Sequence, residues 1–373
     1  MPSVTLFRDF AEDGRTSMEI YADNLSAELR VAGAGRYALN EYRPRLNGFA
    51  ARLPERSNLR MRAARYLAYP RMAAVRQGNI NHILDHGYAH LMSVLDPART
   101  VLTVHDLIPI LAGRGLIHGI RRNRRSWLAE WTAGYYAKAA RIIAISENTK
   151  RDLVKHCGCD PKRIEVVYYG LNPAFRPFAE EERKRSRARF GLAENARVVL
   201  ITGQEFYKNH ETCLKVMERL HGKYGNALRL LRLGRITPEW RESSRGSPFR
   251  EQIIEIPSLP PERMPDLYNA VDCLLFPSWY EGFGLPPLEA MACGTPAATS
   301  DVASLPEAVG TAALTAAPDD IEAFSMGVTR LLEDDGFRLE MIAKGIAYSA
   351  RFNWRENAQR TLTAYSQLAQ QAI

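Results

Sequence analysis

Short apolar runs alternate with longer polar or amphipathic segments along most of this chain. Each run is bounded by glycine, proline or charged residues, which is typical of strands buried on both faces of a parallel sheet. Strands that alternate with helical segments favour an α/β architecture with doubly wound parallel sheets. The predicted strands cover residues 101–104, 142–145, 198–202, 228–233, 271–276 and 297–299.

Length and a local change in composition predict two domains. A chain of 373 residues is long enough to form two separate cores. Residues 175–189 are polar and dense in charge, so we place an interdomain link within 172–182 and a charged helix after it. We therefore expect a first domain at 1–177, a second at 178–355 and a C-terminal helix at 356–373.

The richest chemical pattern follows the apolar run 271–276. A loop containing Glu281 and two glycines leads into a helix that is expected to open at a double proline, with Glu289 in its first turn. Proline is favoured at the start of a helix, where free N–H groups and the helix dipole attract anions. The pattern predicts a pocket for an anionic ligand that carries hydroxyl groups.

These two glutamates resemble the glutamate–seven residues–glutamate motif of the retaining family 4 glycosyltransferases. Further motifs follow in the order found in that family, and together they span most of the chain. They are residues 104–109, 144–147, Lys208-Asn209, 268–272, 292–296, Ser300 and 305–310.

The resemblance implies a GT-B fold, in which two Rossmann-like domains with parallel sheets face an interdomain cleft and a C-terminal helix crosses back to the first domain. It implies retaining transfer of a hexose from a nucleotide diphosphate sugar, without a metal ion or other cofactor. The acceptor would be a glycan or lipid-linked oligosaccharide in cell-surface polysaccharide synthesis. The likeness favours mannose from GDP-mannose, while UDP- and dTDP-sugars stay open. A sugar-nucleotide epimerase and a non-catalytic binding subunit of the same fold are alternatives.

The resemblance also assigns roles in donor binding. Lys208 binds the diphosphate, helped by the N–H groups of Gly284 and Leu285. Glu281 contacts the donor sugar and Glu289 accepts hydrogen bonds from the ribose, since an ionised carboxylate only accepts and can engage two neighbouring hydroxyls. The alternatives are a solvated loop lysine at 208 and a glutamate at 289 that merely complements the helix dipole.

Other donor-site candidates lie in loops of the second domain. The family usually carries an arginine where this chain has Gln204, and this departure makes Arg235 the candidate for a second cation. Glu307 either supports the donor site or is simply a carboxylate at a helix start. The remaining nucleotide-binding candidates are Gly203, Gly282, Phe283, Ser258 and Leu259.

The first domain contributes a second group of candidates. His105 and Asp106 follow a predicted strand and so lie at its carboxyl end, where ligands of α/β folds bind. By resemblance, His105 is catalytic and faces the donor sugar, and Asp106 orients either local structure or the acceptor. Gly14 and Arg15, before a helix that starts near residue 18, are candidates for a loop that approaches the diphosphate and the acceptor.

Three histidines recur at four-residue spacing. On a continuous helix His82, His86 and His90 would align, which would suit a metal ion. Gly87 interrupts that segment, so we predict no metal site here. We instead expect His86 to line the cleft, near the acceptor or the diphosphate.

The charge of the chain is positive and unevenly distributed. The net charge is +8, and between Arg30 and Arg76 there are eleven arginines, no lysine and only two acids. Such a surface suits an anionic membrane or nucleic acid, and we find no signature of a nucleic-acid-binding module. A solvated arginine-rich face is the alternative. We expect peripheral binding to the inner face of the cytoplasmic membrane, and no nucleic-acid partner.

Targeting signals are not evident in the chain. No run of about 18 apolar residues is present, and the first residues lack the basic and apolar segments of a signal peptide. The five cysteines are an odd number for a disulfide framework. These observations predict a cytoplasmic protein with reduced thiols.

Overall fold

The computed structural model of the protein describes residues 1–46, 58–118 and 126–371. The chain divides into two compact units. The first unit comprises residues 1–116, 120–170 and 353–373, and the second comprises 117–119 and 171–352. The division thus falls after Gly170 rather than after 177, and the chain returns to the first unit at Asn353 rather than at 356.

Both units are built from strands that alternate with helices. The described strands are β1 (Ser3–Phe7), β2 (Ala38–Tyr42), β3 (Ile80–Ile83), β4 (Thr100–Val104), β5 (Arg141–Ala144), β6 (Ile164–Val166), β7 (Arg197–Thr202), β8 (Leu228–Leu233), β9 (Ile253–Ile256), β10 (Cys273–Phe276), β11 (Ala297–Ser300) and β12 (Leu314–Ala316). The described α-helices are α1 (Thr16–Ala32), α2 (Asn58–Ala63), α3 (Tyr69–Ala74), α4 (Ile108–Gly113), α5 (Ser126–Ala133), α6 (Glu147–Cys157), α7 (Glu180–Arg189), α8 (His210–Tyr224), α9 (Pro238–Arg245), α10 (Met264–Ala270), α11 (Leu285–Ala292), α12 (Leu305–Val309), α13 (Ile321–Glu333), α14 (Asp335–Ser349) and α15 (Trp354–Gln371).

The first unit contains a parallel sheet with the strand order β2-β1-β3-β4-β5-β6. The chain moves from β1 to β2 on one side and then continues from β3 on the other. The direction of winding therefore reverses between β1 and β3, which is the topological switch point where doubly wound sheets bind ligands. Helix α15 belongs to this unit, where the hydroxyl of Tyr365 lies 2.6 Å from Nδ1 of His82.

The second unit contains a parallel sheet with the strand order β12-β11-β10-β7-β8-β9. Its winding reverses between β7 and β10, so its switch point lies between these two strands. A core of aliphatic and aromatic side chains from β7, β8, β10, α8 and α13 packs one face of this sheet. Both sheets confirm the predicted α/β architecture.

The strands predicted from apolar runs are all present, and the sheets contain others that were not predicted. Among the missed strands, β2 and β12 are edge strands whose side chains are half-buried or exposed. An edge strand buries less of its surface, so its sequence carries fewer apolar residues. Within the described residues, no helix combines the length and the apolar character that crossing a bilayer requires.

Candidate functional site

An ion pair occupies the switch point of the second unit. Lys208 ends a short 3₁₀ turn after β7, and Glu281 lies in the loop after the neighbouring strand β10. The Nζ atom of Lys208 is 2.9 Å from Oε1 of Glu281, and each side chain is only 10% exposed. Burial raises the pKa of Glu281, although the charge of Lys208 opposes that shift. The structure thus brings together a cation and a carboxylate that were predicted separately.

Two glycines make room for this pair and for the following helix. Gly203 has φ +96°, and a Cβ atom there would lie 2.7 Å from Cε of Lys208. Gly284 has φ +112°, and its Cβ would lie 2.8 Å from Cδ2 of Leu305. Other residues disfavour these φ values, and both spaces are filled. Glycine is therefore required at both positions.

Helix α11 begins at Leu285, with Gly284 as its N-cap residue. Glu289 is the fifth residue of this helix, and the first turn contains no acidic residue. The expectation that Glu289 lies in the first turn is therefore wrong, because the helix begins before the double proline. The hydroxyl of Tyr268 donates to Oε2 of Glu289 at 2.8 Å, and burial raises the pKa of Glu289 to about 7. A dipole-complementing role fits this environment poorly, since Glu289 lies beyond the first turn and is half-buried beside Tyr268.

The backbone between the two glutamates is held by a serine that the sequence analysis missed. Oγ of Ser304 lies 2.9 Å from the carbonyl oxygens of both Glu281 and Phe283, which flank Gly282. The ring of Phe283 is buried and packs against Phe352. These contacts fix the loop that leads to the free N–H groups at the start of α11. Only the place of Ser304 after a buried strand pointed to such a role.

The predicted second cation, Arg235, lies close in the sequence to a buried arginine, Arg232. The side chain of Arg235 is exposed, and its backbone N–H donates to Oε1 of Gln204 at 3.1 Å. Arg232, in contrast, is fully buried at the end of β8, where it donates to the carbonyls of Gly234 at 2.6 Å and of Arg235 at 3.1 Å. It fixes the loop after β8. Its position within a strand of alternating leucine pairs and arginines, of which Arg229 is only half-buried, was the signal that the sequence analysis overlooked.

Three other predicted donor-site residues lie at the edge of the second unit or in α12. Ser258 is exposed and Leu259 is half-buried, and both follow the edge strand β9. Glu307 is half-buried in α12, and its carbonyl accepts a hydrogen bond from Tyr348. None of these has a direct contact with the Lys208–Glu281 pair among the described hydrogen bonds and ion pairs, so their roles stay predictions.

In the first unit, His105 is fully engaged by the fold. Its Nδ1 lies 2.6 Å from the hydroxyl of Tyr169 and its Nε2 lies 2.7 Å from the carbonyl oxygen of Leu84. The ring is buried, and burial lowers the pKa of His105 to about 4. Oδ1 of Asp106 accepts from the N–H of Ile108, the first residue of α4, at 2.8 Å. Through these hydrogen bonds, His105 and Asp106 stabilise the fold around them. A contact of His105 with the donor sugar stays a prediction.

The predicted acceptor-loop residues converge on a carboxylate that the sequence analysis passed over. Nη1 of Arg15, the N-cap residue of α1, lies 2.5 Å from Oδ2 of Asp85. Nδ1 of His86 lies 3.4 Å from the other oxygen of Asp85. Gly14, which precedes Arg15, has φ +64° and ends a 3₁₀ turn. The structure therefore joins Arg15 and His86 through Asp85.

The three histidines at four-residue spacing do not share a helix. His82 is on β3 and bonds Thr103 and Tyr365, whereas Nε2 of His90 donates to the carbonyl oxygen of Arg65. Within the described residues, no group of three potential ligands could hold a metal ion. The spacing therefore reflects a strand followed by a 3₁₀ helix.

Both halves of the sequence are similar to known proteins. Residues 182–348 match the family model described as Glycosyl transferases group 1, and residues 18–175 match the model described as Glycosyltransferase Family 4. O-antigen chain mannosyltransferase B of Escherichia coli is 32% identical over 232 residues, which are 61% of this chain and 60% of that protein. Serotype-specific mannosyltransferase WbdA of Escherichia coli is 27% identical over 284 residues, which are 74% of this chain and 34% of that protein.

The chain thus spans about 60% of the first relative and about a third of the second. Its structure is similar to that of sucrose-phosphate synthase from Thermosynechococcus elongatus, with a TM-score of 0.77, 18% identity and 99% coverage of both chains. This likeness and the two sheets show the two-domain, Rossmann-like GT-B fold. The two family models together cover most of the sequence, and the chain belongs to glycosyltransferase family 4.

Proposed function

We propose that this protein is a retaining glycosyltransferase that moves a hexose from a nucleotide diphosphate sugar to a glycan or lipid-linked oligosaccharide. We further propose mannose from GDP-mannose as the donor and cell-surface polysaccharide synthesis as the process. Two relatives named as mannosyltransferases support the choice of sugar. UDP- and dTDP-sugars are the alternative donors. UDP-sugars differ from GDP-mannose in the base and the transferred sugar, and dTDP-sugars also lack the 2′-hydroxyl of the ribose.

The observation that carries the proposal is the Lys208–Glu281 pair at the switch point of the second unit. In the structure, the cation and the carboxylate form an ion pair with each other. A nucleotide diphosphate sugar offers a matching set of partners, since its diphosphate is anionic and its sugar presents hydroxyl groups. Lys208 would donate to the diphosphate and stabilise the charge that develops as the glycosidic bond breaks. Glu281 would then accept hydrogen bonds from the sugar.

The other residues of the second unit support this chemistry. The N–H groups at the start of α11 and the positive end of its dipole favour the diphosphate. Glu289, when ionised, accepts hydrogen bonds from the two ribose hydroxyls. With Lys208 and the helix N-terminus as the positive groups, we propose that transfer needs no metal ion. Activity that survives treatment with EDTA would support this part, and activity restored only by a divalent cation would contradict it.

The first experiment identifies the donor. Thermal unfolding of the purified protein is measured with GDP, UDP, dTDP and ADP, and we expect GDP to raise the melting temperature most. A ligand at 100 times its dissociation constant stabilises the folded state by about 2.7 kcal/mol. NMR of the product made from the selected sugar nucleotide then reports the anomeric configuration, which should be that of the donor. Conversion of the donor alone into another sugar nucleotide would indicate an epimerase instead.

We also propose that the protein binds the inner face of the cytoplasmic membrane through its arginine-rich first unit. Residues 47–57 of this region lie outside the described residues, as does a further group of four arginines in the sequence 121–125. In the described part, Arg62, Arg71 and Arg76 are exposed, and Leu67 is 59% exposed. Exposed arginines beside an apolar side chain suit an anionic lipid surface, where each contributes about 1 kcal/mol.

A further inference from the structure

The first unit has a basic pocket at the edge of its sheet where β4, β5 and β6 begin. The loops before these three neighbouring strands and the end of helix α15 enclose a volume of about 640 Å³. We call it the strand-start pocket. Asp85 and His105 follow strands and so lie at the opposite edge of the sheet, where ligands of α/β folds bind. The pocket is therefore separate from the residues described above. Five of its eight lining residues are cationic, namely Arg99, Lys138, Arg141, Lys162 and Arg163.

A short motif that occurs twice in the sequence builds two of these loops. Residues 96–99 read Asp-Pro-Ala-Arg before β4, and residues 160–163 read Asp-Pro-Lys-Arg before β6. In each copy the aspartate accepts from the N–H two residues later, at 3.0 Å in the first and 2.9 Å in the second, and fixes a 3₁₀ turn. Strands β4 and β6 flank β5, which begins at Arg141. The two turns therefore place cations on both sides of Arg141.

The cations of the pocket outnumber the carboxylates that pair with them. Asp96 lies 2.8 Å from Arg99, and Asp160 lies 4.0 Å from Arg163. Among the described residues, no ion pair includes Lys138, Arg141 or Lys162. Five cations against two carboxylates leave a net charge of +3 at this place. A positive charge that is concentrated in a concave surface attracts anions.

Arg141 is the cation that the fold holds most firmly. Its side chain is half-buried, and its Nη1 donates to the carbonyl oxygen of Lys162 at 3.1 Å. Its buried Nε has no hydrogen-bond partner in the part of the chain that the structure describes. A guanidinium that is positioned in this way, with an unused donor and no counter-charge, favours an anion that accepts hydrogen bonds.

We propose that the strand-start pocket binds a soluble ligand through a diphosphate or longer phosphate group. Such a group has several negative charges and many acceptor oxygens, and these match the net charge and the donors of the pocket. The volume lies within the range of small-molecule sites, roughly 300–1,000 Å³. A ligand bound here would contact the loops before three strands and so stabilise the first unit. The inference does not depend on the proposed transfer reaction.

A lipid bilayer fits this pocket less well than a soluble ligand. Peripheral membrane binding combines basic side chains with apolar ones that enter the bilayer. The apolar residues of the lining are two alanines and Leu368, which is only 3% exposed. Leu67, the exposed apolar residue of the proposed membrane-binding face, is not part of the lining. The pocket therefore offers charge without an apolar side chain to insert.

The test uses inorganic pyrophosphate, which has neither base nor sugar. Calorimetric titration at constant ionic strength measures its binding to the full-length chain. The double variant Lys208→Met/Glu281→Gln serves as the background, because it removes the cation proposed to bind the donor diphosphate. We expect pyrophosphate to bind this background with one molecule per chain. Absent binding to the background at millimolar pyrophosphate would overturn the inference and leave the proposed donor site unaffected.

Two pairs of lysines provide the variant and its matched control. Lys138→Gln/Lys162→Gln in this background should weaken pyrophosphate binding at least about tenfold, because both cations line the pocket. Lys150→Gln/Lys155→Gln removes the other two lysines of the first unit and should stay within about twofold of the background. Both lysines of the pocket are exposed, so their replacement should leave the fold intact. An equal loss in the two variants would indicate a general charge effect and overturn the inference.

Binding to larger anions distinguishes the source of the phosphate. Co-sedimentation with phosphatidylglycerol vesicles and a shift assay with duplex DNA are measured for the same variants. Vesicle and DNA binding that is equal in the pocket variant and its control, together with the selective loss of pyrophosphate binding, would support a soluble ligand. A pocket variant that loses vesicle or DNA binding but keeps its pyrophosphate affinity would overturn the inference.

Discussion

Lys208 and Glu281 form a buried ion pair with 2.9 Å between Nζ and Oε1, although 73 positions separate them in the sequence. Each follows one of the two strands that meet at the switch point of the second sheet. Neither charge has much access to water, since both side chains are 10% exposed. The pair therefore couples the stability of the second unit to its proposed chemistry.

Glu281→Gln should lower kcat by about 100-fold or more, because the sugar loses its charged acceptor at the reacting centre. It should also destabilise the fold by about 3 kcal/mol, because it leaves Lys208 buried without a counter-charge. Initial rates and urea unfolding measure the two effects. In the double variant Lys208→Met/Glu281→Gln, stability should return while activity does not. Unchanged turnover in Glu281→Gln would contradict the assigned role.

Glu289 should make donor binding depend on pH near neutrality. Its pKa is raised to about 7 by burial, so the ionised form that accepts from ribose hydroxyls becomes dominant only above that pH. We expect the affinity for the selected nucleoside diphosphate to increase from pH 6 to pH 8. Calorimetric titration of wild type and Glu289→Gln checks this, and the variant should bind weakly with a smaller increase. An equal slope in the two proteins would assign the titration to another group.

Glu289 should also make the stability of the fold depend on pH. Whereas donor binding should strengthen as the pH rises, stability should decrease. Its ordinary pKa is 4.5, and the folded value is higher, so the folded protein holds the proton more tightly. The contribution of protonated Glu289 to the free energy of unfolding is fully present below pH 4.5 and is lost as the pH rises through 7. Above pH 7, Glu289→Gln should therefore be at least as stable as wild type, with an unfolding free energy that is higher by up to on the order of 1 kcal/mol. Its melting temperature should be equal to or above that of wild type. A variant that is markedly less stable at pH 8 would contradict this environment.

Gly284→Ala should disturb the start of helix α11. The residue has φ +112°, and an added Cβ would lie 2.8 Å from Leu305. We expect a loss of about 1–3 kcal/mol in stability, together with weaker nucleotide binding. Gly222→Ala is the matched control, since it lies in helix α8 with no atom within 4 Å of the added Cβ. The control should be neutral or up to about 1 kcal/mol more stable.

Charge reversal in the first unit should weaken membrane binding. We expect Arg62→Glu/Arg71→Glu to reduce binding to vesicles with anionic phosphatidylglycerol at least about tenfold, because each exposed arginine contributes about 1 kcal/mol. Co-sedimentation at moderate salt measures the effect. The double variant Lys155→Glu/Lys162→Glu changes the net charge equally at other exposed positions of the same unit. An equal loss in both variants would indicate a general charge effect rather than a membrane-binding face.

Much of the fold could be predicted from apolar runs. The strands buried on both faces stand out because most positions along them are apolar, as in β4 and β10. The edge strands β2 and β12 could not be predicted in this way, since their side chains remain partly in water. The start of α11 was also misplaced, because the double proline lies inside the first turn and Gly284 supplies the cap.

The candidate site was predictable only where a residue stands in a recognisable pattern. Glu281, Glu289 and Lys208 were named from their motifs, but the ion pair and the Tyr268–Glu289 hydrogen bond were not. Arg232 was overlooked because a charged residue in an apolar run has no evident partner until the loops around it are known.

The sequence by itself determined the α/β class, the family and the identity of several site residues, since these depend on local pattern and residue order. Only the tertiary structure decided which strands are neighbours, and therefore which loops meet at each switch point. The pairing of Arg15 with Asp85 and of Lys208 with Glu281 follows from strand order rather than from spacing in the chain. Burial in the folded chain also raises the pKa of Glu289, because removing a carboxyl group from water disfavours its charge.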